Sequence, residues 1–199
     1  MPDINDRTPK MLALLKRLVE TESPSHDKAG VDRLGEIIAE ECSRLGAQVR
    51  VHPQAEAGNL VEAHFTAPRP PATGPGQRLS QTLKGDGILL LAHMDTVFPQ
   101  GTLLKMPFHE KDGRVFGPGV SDMKGGIVVA LTALEAALES GSLAHPVTAL
   151  FTPDEETGSR ASRALIEKLP AESILVLVLE PGIADGSVKT WRKGVGEFS

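Results

Sequence analysis

Apolar residues recur at helical spacing over Met11–Glu20 (MLALLKRLVE), and Ser23-Pro24-Ser25 closes the run. Asp27–Leu45 repeats the pattern and stops at Gly46, in the position a helix C-cap favours. Val49 and Val51, then Leu60, Val61 and Phe65, predict two short strands joined by a turn around Gly58-Asn59. Pro68–Gly87 is rich in Pro, Gly, Ser, Thr and Gln and offers too little apolar surface to order a backbone, so a surface loop is expected there rather than a domain boundary. Three compact apolar runs follow, at Ile88–Leu91, Val147–Phe151 and Ile174–Leu179. Continuous apolarity predicts strands buried on both faces. Between them lie helical stretches at Gly126–Ser140, capped by Gly141, and at Ser159–Leu169, ended by Pro170. Strand–helix–strand–helix–strand is the βαβ signature. The expected fold is α/β, a three-layer sandwich with a largely parallel central sheet flanked by helices.

The chemistry sits where each apolar run ends. The first ends in Ala92-His93-Met94-Asp95-Thr96, the second in Thr152-Pro153-Asp154-Glu155-Glu156-Thr157-Gly158, the third in Glu180-Pro181-Gly182. Carboxylates and an imidazole are thus delivered to the C-terminal ends of the strands, where open α/β sheets gather their ligand sites. A further acid, Asp122, lies in the glycine-rich turn GPGVSDMKGG that leads into a helix. A single acid at a strand end is ordinarily a turn or cap residue, and Asp154 is left in that role. His93, Asp122, Glu156 and Glu180 together form a nitrogen-and-oxygen ligand set suited to zinc, cobalt or manganese, and two divalent ions would neutralise the acid cluster. In an extended segment His93 and Asp95 project to the same side, so Asp95 can reach the free ring nitrogen and fix the tautomer. Glu155 and Glu156 are adjacent and cannot share one direction in extended chain. One can bind metal while its neighbour faces a water as a proton shuttle, the equipment for hydrolysing an amide.

Composition narrows the class. The chain has 199 residues, 40% hydrophobic and 24% charged, with 21 basic against 26 acidic side chains and a net charge of −5. That balance argues against nucleic acid, which needs a basic face, and the longest apolar runs fall well short of a membrane span. The one cysteine, Cys42, excludes an internal disulfide and a cysteine cage, and its place in a helical pattern near Ile38 and Leu45 points to packing. No nucleotide loop of either glycine-rich type is present, and Ser121 has no nucleophile elbow around it. The histidines other than His93 are assigned no role, Arg160 and Arg163 are expected to be solvated helix charges, and Trp191 is expected to be a buried or edge aromatic.

HMDTVFP, GPGVSDMKGG, PDEETGS and LEPG, in this order and spacing, resemble the co-catalytic zinc exopeptidase family, which includes glutamate carboxypeptidase, aminoacylase, acetylornithine deacetylase and succinyl-diaminopimelate desuccinylase. The resemblance implies that His93 and Glu180 hold one zinc, Glu156 the other, and that Asp122 bridges them. It makes Asp95 the partner of His93 and Glu155 the general acid/base, and implies a cis peptide at Asp122–Met123. A glutamate at position 180, the wording HMDTVFPQGT and the closing WRKG look most like the glutamate carboxypeptidase branch. The implied activity is cleavage of amide bonds in small peptides or N-acyl amino acids that carry a free carboxylate. An N-acyl amino acid deacylase and a non-catalytic metal-binding fragment are the alternatives.

The family's second zinc needs a histidine supplied far downstream, after a lid and dimerisation domain. The resemblance therefore divides the chain into an incomplete catalytic domain, residues 1–187, and the start of a truncated lid domain, residues 188–199. It also implies that the full-length enzyme is a homodimer through that missing domain and that the isolated chain hydrolyses amides poorly or not at all. A polar, acidic start without a signal peptide's basic-then-apolar order is expected of a cytoplasmic protein.

Overall fold

The computed structural model describes residues 4–67, 86–183 and 185–191. The expected loop at Pro68–Gly87 and the last part of the expected lid segment lie largely outside these residues. Two helices, α1 (Thr8–Glu20) and α2 (Lys28–Arg44), lead into β1 (Gln48–His52), β2 (Leu60–Phe65) and β3 (Gly87–His93). Then come a small hairpin of β4 (His109–Lys111) and β5 (Arg114–Phe116), helix α3 (Gly125–Glu139), β6 (Val147–Thr152), helix α4 (Arg163–Ala171) and β7 (Ser173–Val178). Among the described residues, no helix is long and apolar enough to cross a membrane.

The main sheet has five strands in the order β1-β2-β6-β3-β7. β3 runs parallel to both β6 and β7, as the strand–helix–strand order predicted, but β7 lies at the edge of the sheet with Leu175, Leu177 and Val178 exposed, so its apolar run is not buried on both faces. β2 pairs antiparallel with both β1 and β6, so the sheet is mixed, with an antiparallel hairpin laid against a parallel core. The strand period sorts side chains to two faces. Val61, Ala63 and Phe65, Leu90 and Ala92, and Val147, Ala149 and Phe151 pack against Leu18 and Val19 of α1, Val31, Leu34, Ile38 and Cys42 of α2, and Ile127, Val128, Leu131 and Leu134 of α3. Leu60, Leu89 and Leu150 point the other way, toward Leu165, Ile166 and Leu169 of α4. Three helices on one face and one on the other complete the three layers.

Polar ties hold the helical layer in register. Glu135 of α3 accepts Arg44 from α2 at 2.8 Å and Arg7 from the turn before α1 at 3.2 Å, with Lys10 of α1 on its other flank. Lys124, buried just before α3, donates to the carbonyls of Leu18 at 3.0 Å and Thr21 at 2.9 Å, which satisfies oxygens exposed by the end of α1.

Several boundaries differ from expectation. Helix α4 begins at Arg163, because Asp154 first engages the Ala161 N–H and the Ser162 hydroxyl and holds that stretch in turns. It then runs through Pro170 to Ala171. The β4–β5 hairpin was missed, since its strands are three residues long and mostly exposed. Its Asp112-Gly113 turn, with φ of 51° and 70°, is a hairpin signal that the sequence does carry. Trp191 is 77% exposed, so it is not a packed aromatic among the described residues. Arg163 pairs with Glu167 on the surface, in keeping with a solvated helix charge.

Cys42 is fully buried in α2, and burial pushes its thiol up to about 12. A thiol-disulfide reagent at pH 8 is therefore expected to label the native chain roughly a thousandfold more slowly than a free thiol, because so little thiolate is present. Labelling should reach the free rate in denaturant. Fast labelling of the folded chain would show that α2 does not pack as described.

Candidate metal centre

The C-terminal ends of β3, β6 and β7 lie side by side, which brings together residues far apart in sequence. His93 ends β3 with its side chain only 2% exposed. Its Nε2 lies 3.0 Å from Oδ1 of Asp122 and 3.5 Å from Oε1 of Glu180. Among the described residues, His93, Asp122 and Glu180 form a group whose donor atoms all fall within 4.8 Å of one another. Glu156 is not part of that group of three. It sits in the short helical turn Glu155–Thr157 that follows β6, so Glu155 and Glu156 diverge along a turn and not, as the sequence reading assumed, along extended chain. Asp154 takes the expected turn role, its carboxylate accepting the Ala161 N–H and the Ser162 hydroxyl.

Two backbone features place the acids. Asp122 leads into a cis peptide bond with Met123, as the resemblance implied. The Met123 sulfur then accepts the backbone N–H of His93 at 3.1 Å. Gly126, at the start of α3, allows the end of β7 to approach closely: a Cβ there would lie 2.2 Å from the Leu179 carbonyl oxygen, next to Glu180.

Asp95 is wholly buried and has every oxygen engaged. Oδ1 accepts the Glu155 N–H at 3.1 Å and faces His93 Nδ1 at 3.4 Å. Oδ2 accepts the Ser25 hydroxyl at 2.7 Å and the Glu156 N–H at 3.2 Å. The Asp95 backbone carbonyl, 2.9 Å from His93 Nδ1, is the nearer acceptor for the ring. With only acceptors around it, Nδ1 must carry a proton, and that leaves Nε2 to face the acids. The sequence reading foresaw this pairing through the carboxylate; the main-chain carbonyl shares it. It did not foresee Ser25, which reaches Asp95 across 70 residues of sequence with no periodic signal to announce it.

Electrostatics show what the cluster lacks. Burial pushes the His93 imidazole down, but the hydrogen bond and charge of Asp95, joined by Glu180, more than reverse this and bring it up to about 9. Asp95 is pushed up by burial but held below the usual carboxylate range by hydrogen bonds from His93 and Ser25. Glu156 and Glu180 both stand above their ordinary values: burial raises them, and the charges of Asp122 and Glu155 add to it against the pull of His93. One imidazolium leaves these acids under-neutralised. A divalent cation beside Nε2 fits both the donor chemistry and the missing charge. A cleft of about 240 Å³, lined by His93, Met123, Thr152, Glu155, Ile166 and Glu180 among others, opens beside the cluster.

Comparison with known proteins agrees with this architecture. The profile of peptidase family M20/M25/M40 matches residues 89–192. Carboxypeptidase G2 of Pseudomonas sp. (strain RS-16) is 33% identical over 180 residues, covering 88% of this chain and 40% of its own. Acetylornithine deacetylase of Proteus mirabilis (strain HI4320) is 28% identical over 185 residues, covering 89% of this chain and 44% of its own. Among solved structures, human carnosine dipeptidase 1 superposes with a TM-score of 0.69 at 20% identity, over 88% of this chain and 39% of that one. An M20 family metallo-carboxypeptidase from Sulfolobus solfataricus gives a TM-score of 0.68 at 20% identity, over 87% and 38%. The chain thus spans about two fifths of the length of these relatives.

The close approach at Gly126 yields a matched pair of variants. Gly126→Ala is expected to lower unfolding free energy by about 1–3 kcal/mol, despite alanine's better helix propensity, because the methyl group collides with the Leu179 carbonyl. Gly182→Ala, whose Cβ would meet nothing nearer than 3.6 Å, should change it by no more than about 0.5 kcal/mol. Denaturant unfolding of both variants checks this; equal effects would mean that β7 does not approach α3 as described.

Proposed function

The chain belongs to peptidase family M20/M25/M40, and on that footing we propose that it carries the catalytic machinery of a zinc-dependent amide hydrolase of the glutamate carboxypeptidase kind. Its substrates on this reading are small peptides or N-acyl amino acids with a free carboxylate. The observation that carries the proposal is the convergence of His93, Asp122 and Glu180 on one point beside the Glu155-Glu156 turn. His93 and Glu180 would hold one divalent ion, Glu156 the other, and Asp122 would lie between them. Identity favours the carboxypeptidase branch, with 33% to carboxypeptidase G2 against 28% to the P. mirabilis acetylornithine deacetylase. A deacylase of the acetylornithine type is the second reading, since it uses the same strand-end motifs.

When bound, the ions supply Lewis acidity, which polarises the scissile carbonyl and makes a water acidic enough to attack near neutral pH. The chain's own residues do the rest. The main-chain carbonyl and the carboxylate of Asp95 keep the proton on His93 Nδ1, which leaves the Nε2 lone pair free to hold an ion. Glu155, on the same turn as Glu156 and lining the cleft, accepts the proton of the attacking water at a carboxylate oxygen. It then returns that proton to the leaving nitrogen as the C–N bond breaks. Leu91, Ile166 and Val178 form the apolar side of the cleft wall.

Within this reading residues 1–187 act as the catalytic unit and 188–199 open a second, lid-forming domain through which the whole enzyme dimerises in the cytoplasm. The 199-residue chain alone is then expected to bind metal but to turn over amides poorly, because the second ion's remaining histidine is not among its assigned ligands.

Zinc titration followed by calorimetry tests the assignment. The chain should bind at least one zinc tightly, and His93→Ala should weaken that binding by at least about a hundredfold; unchanged uptake would remove His93 from the site. In an active preparation, Glu155→Gln is expected to keep its zinc while hydrolysis of N-acyl amino acids and dipeptides falls by about 10²–10⁴-fold. Near wild-type turnover would place the proton shuttle elsewhere.

A further inference from the structure

The loop between α1 and α2 takes no part in the ligand set, yet it is stitched to the strand-end segment after β3 at every step. The Ser23 hydroxyl donates to the Met94 carbonyl at 2.8 Å, the Thr96 N–H to the Ser23 carbonyl at 2.9 Å, and the Ser25 N–H to the Thr96 carbonyl at 3.3 Å. These bonds carry Ser25 to the one place where its hydroxyl reaches Asp95. We propose that Ser25 is a positioning residue of the metal centre, acting through Asp95 on both His93 and the Glu155-Glu156 turn.

The geometry supports a role beyond loop stability. Asp95 is fully buried and its two oxygens face three elements: His93 at the end of β3, the turn after β6, and Ser25. The Ser25 bond, at 2.7 Å, is the shortest of the contacts to the carboxylate. Without it, Oδ2 keeps only the 3.2 Å bond from the Glu156 amide. Held then by the longer bonds from the Glu155 and Glu156 amides, the carboxylate can rotate further about its Cβ–Cγ bond, and one rotation disturbs two things together. Oδ1 moves relative to the His93 ring, and the anchor of the turn that carries Glu155 and Glu156 loosens. Groups that orient a metal-bound imidazole through its far nitrogen commonly matter to affinity almost as much as the ligand itself. Ser25 holds the orienting group one step further out.

This inference rests on the reading of His93, Asp122 and Glu180 as metal ligands, and the test keeps the two apart. Zinc affinity and the metal-free melting temperature would be measured for wild type, Ser25→Ala, Ser25→Thr, Ser25→Cys, Ser23→Ala and His93→Ala. Ser25→Ala is expected to lose about 10–100-fold in zinc affinity. Ser25→Thr keeps the hydroxyl, with room for its methyl at the cleft that Ser25 borders, and should stay within about threefold of wild type. Ser25→Cys is nearly isosteric with a weaker donor, so it should lose several-fold while melting like wild type; it carries the test if the alanine variant does not fold. Ser23→Ala, which cuts a buried bond of the same loop without touching Asp95, should melt earlier but bind zinc as wild type does. Wild-type zinc affinity in Ser25→Ala and Ser25→Cys, with binding lost in His93→Ala, overturns the role of Ser25 and leaves the metal site standing. Equal losses in Ser23→Ala and Ser25→Ala, or a threonine no better than alanine, also overturn it, reducing Ser25 to a loop residue. Unchanged zinc binding in His93→Ala overturns the metal reading and Ser25 with it.

Discussion

A carboxylate sealed from water must find all its hydrogen bonds inside the protein, and Asp95 is such a carboxylate. Its partners come from three stretches of chain: the loop after α1, the end of β3, and two consecutive amides of the turn after β6. None of these can move independently without leaving a buried charge short of a donor, at a cost of several kcal/mol. The centre is consequently rigid at its base. The outer acids are less enclosed, and Asp122 is about half exposed.

The sheet makes this arrangement attainable. Because β3, β6 and β7 run parallel, their C-terminal ends open on the same edge, and the residues that follow each strand meet there. The antiparallel pair β1–β2 widens the sheet on the far side and supplies core residues such as Phe65, but it contributes nothing to the cluster. The helical layer then fixes the remaining pieces: α3 brings Asp122 and Met123 in through the turn before it, and the missing side chain at Gly126 lets Leu179 and Glu180 come close. Packing and chemistry share residues here. Lys124, two positions after Asp122, closes the end of α1 and so also ties the loop that bears Ser25.

Much of this was legible along the chain. The strands β3, β6 and β7 and the helices between them follow from continuous and helical apolar spacing, although β7 lies at the sheet edge and is half exposed; His93, Glu156 and Glu180 stand out because they follow apolar runs. The hairpin at His109–Phe116 was not legible by hydrophobicity, since a strand of three mostly exposed residues has no face to mark. The antiparallel placement of β2 beside β6 was equally hidden, because a half-buried strand carries the same alternation whichever way its neighbour runs.

Residue types and their order at the strand ends and in the turn before α3 were therefore determined by the sequence itself: His93, Asp122, Glu156 and Glu180 as candidate donors, with Asp95 and Glu155 beside them. Periodicity fixes the face on which a residue emerges, and that is a local property. What only the tertiary structure decided is who meets whom. It placed Glu156 outside the group formed by His93, Asp122 and Glu180, divided the hold on His93 between the main chain and the side chain of Asp95, and set Ser25 against that carboxylate. Contacts between segments 60 or 70 residues apart depend on how strands and helices stack, and no local pattern encodes that stacking.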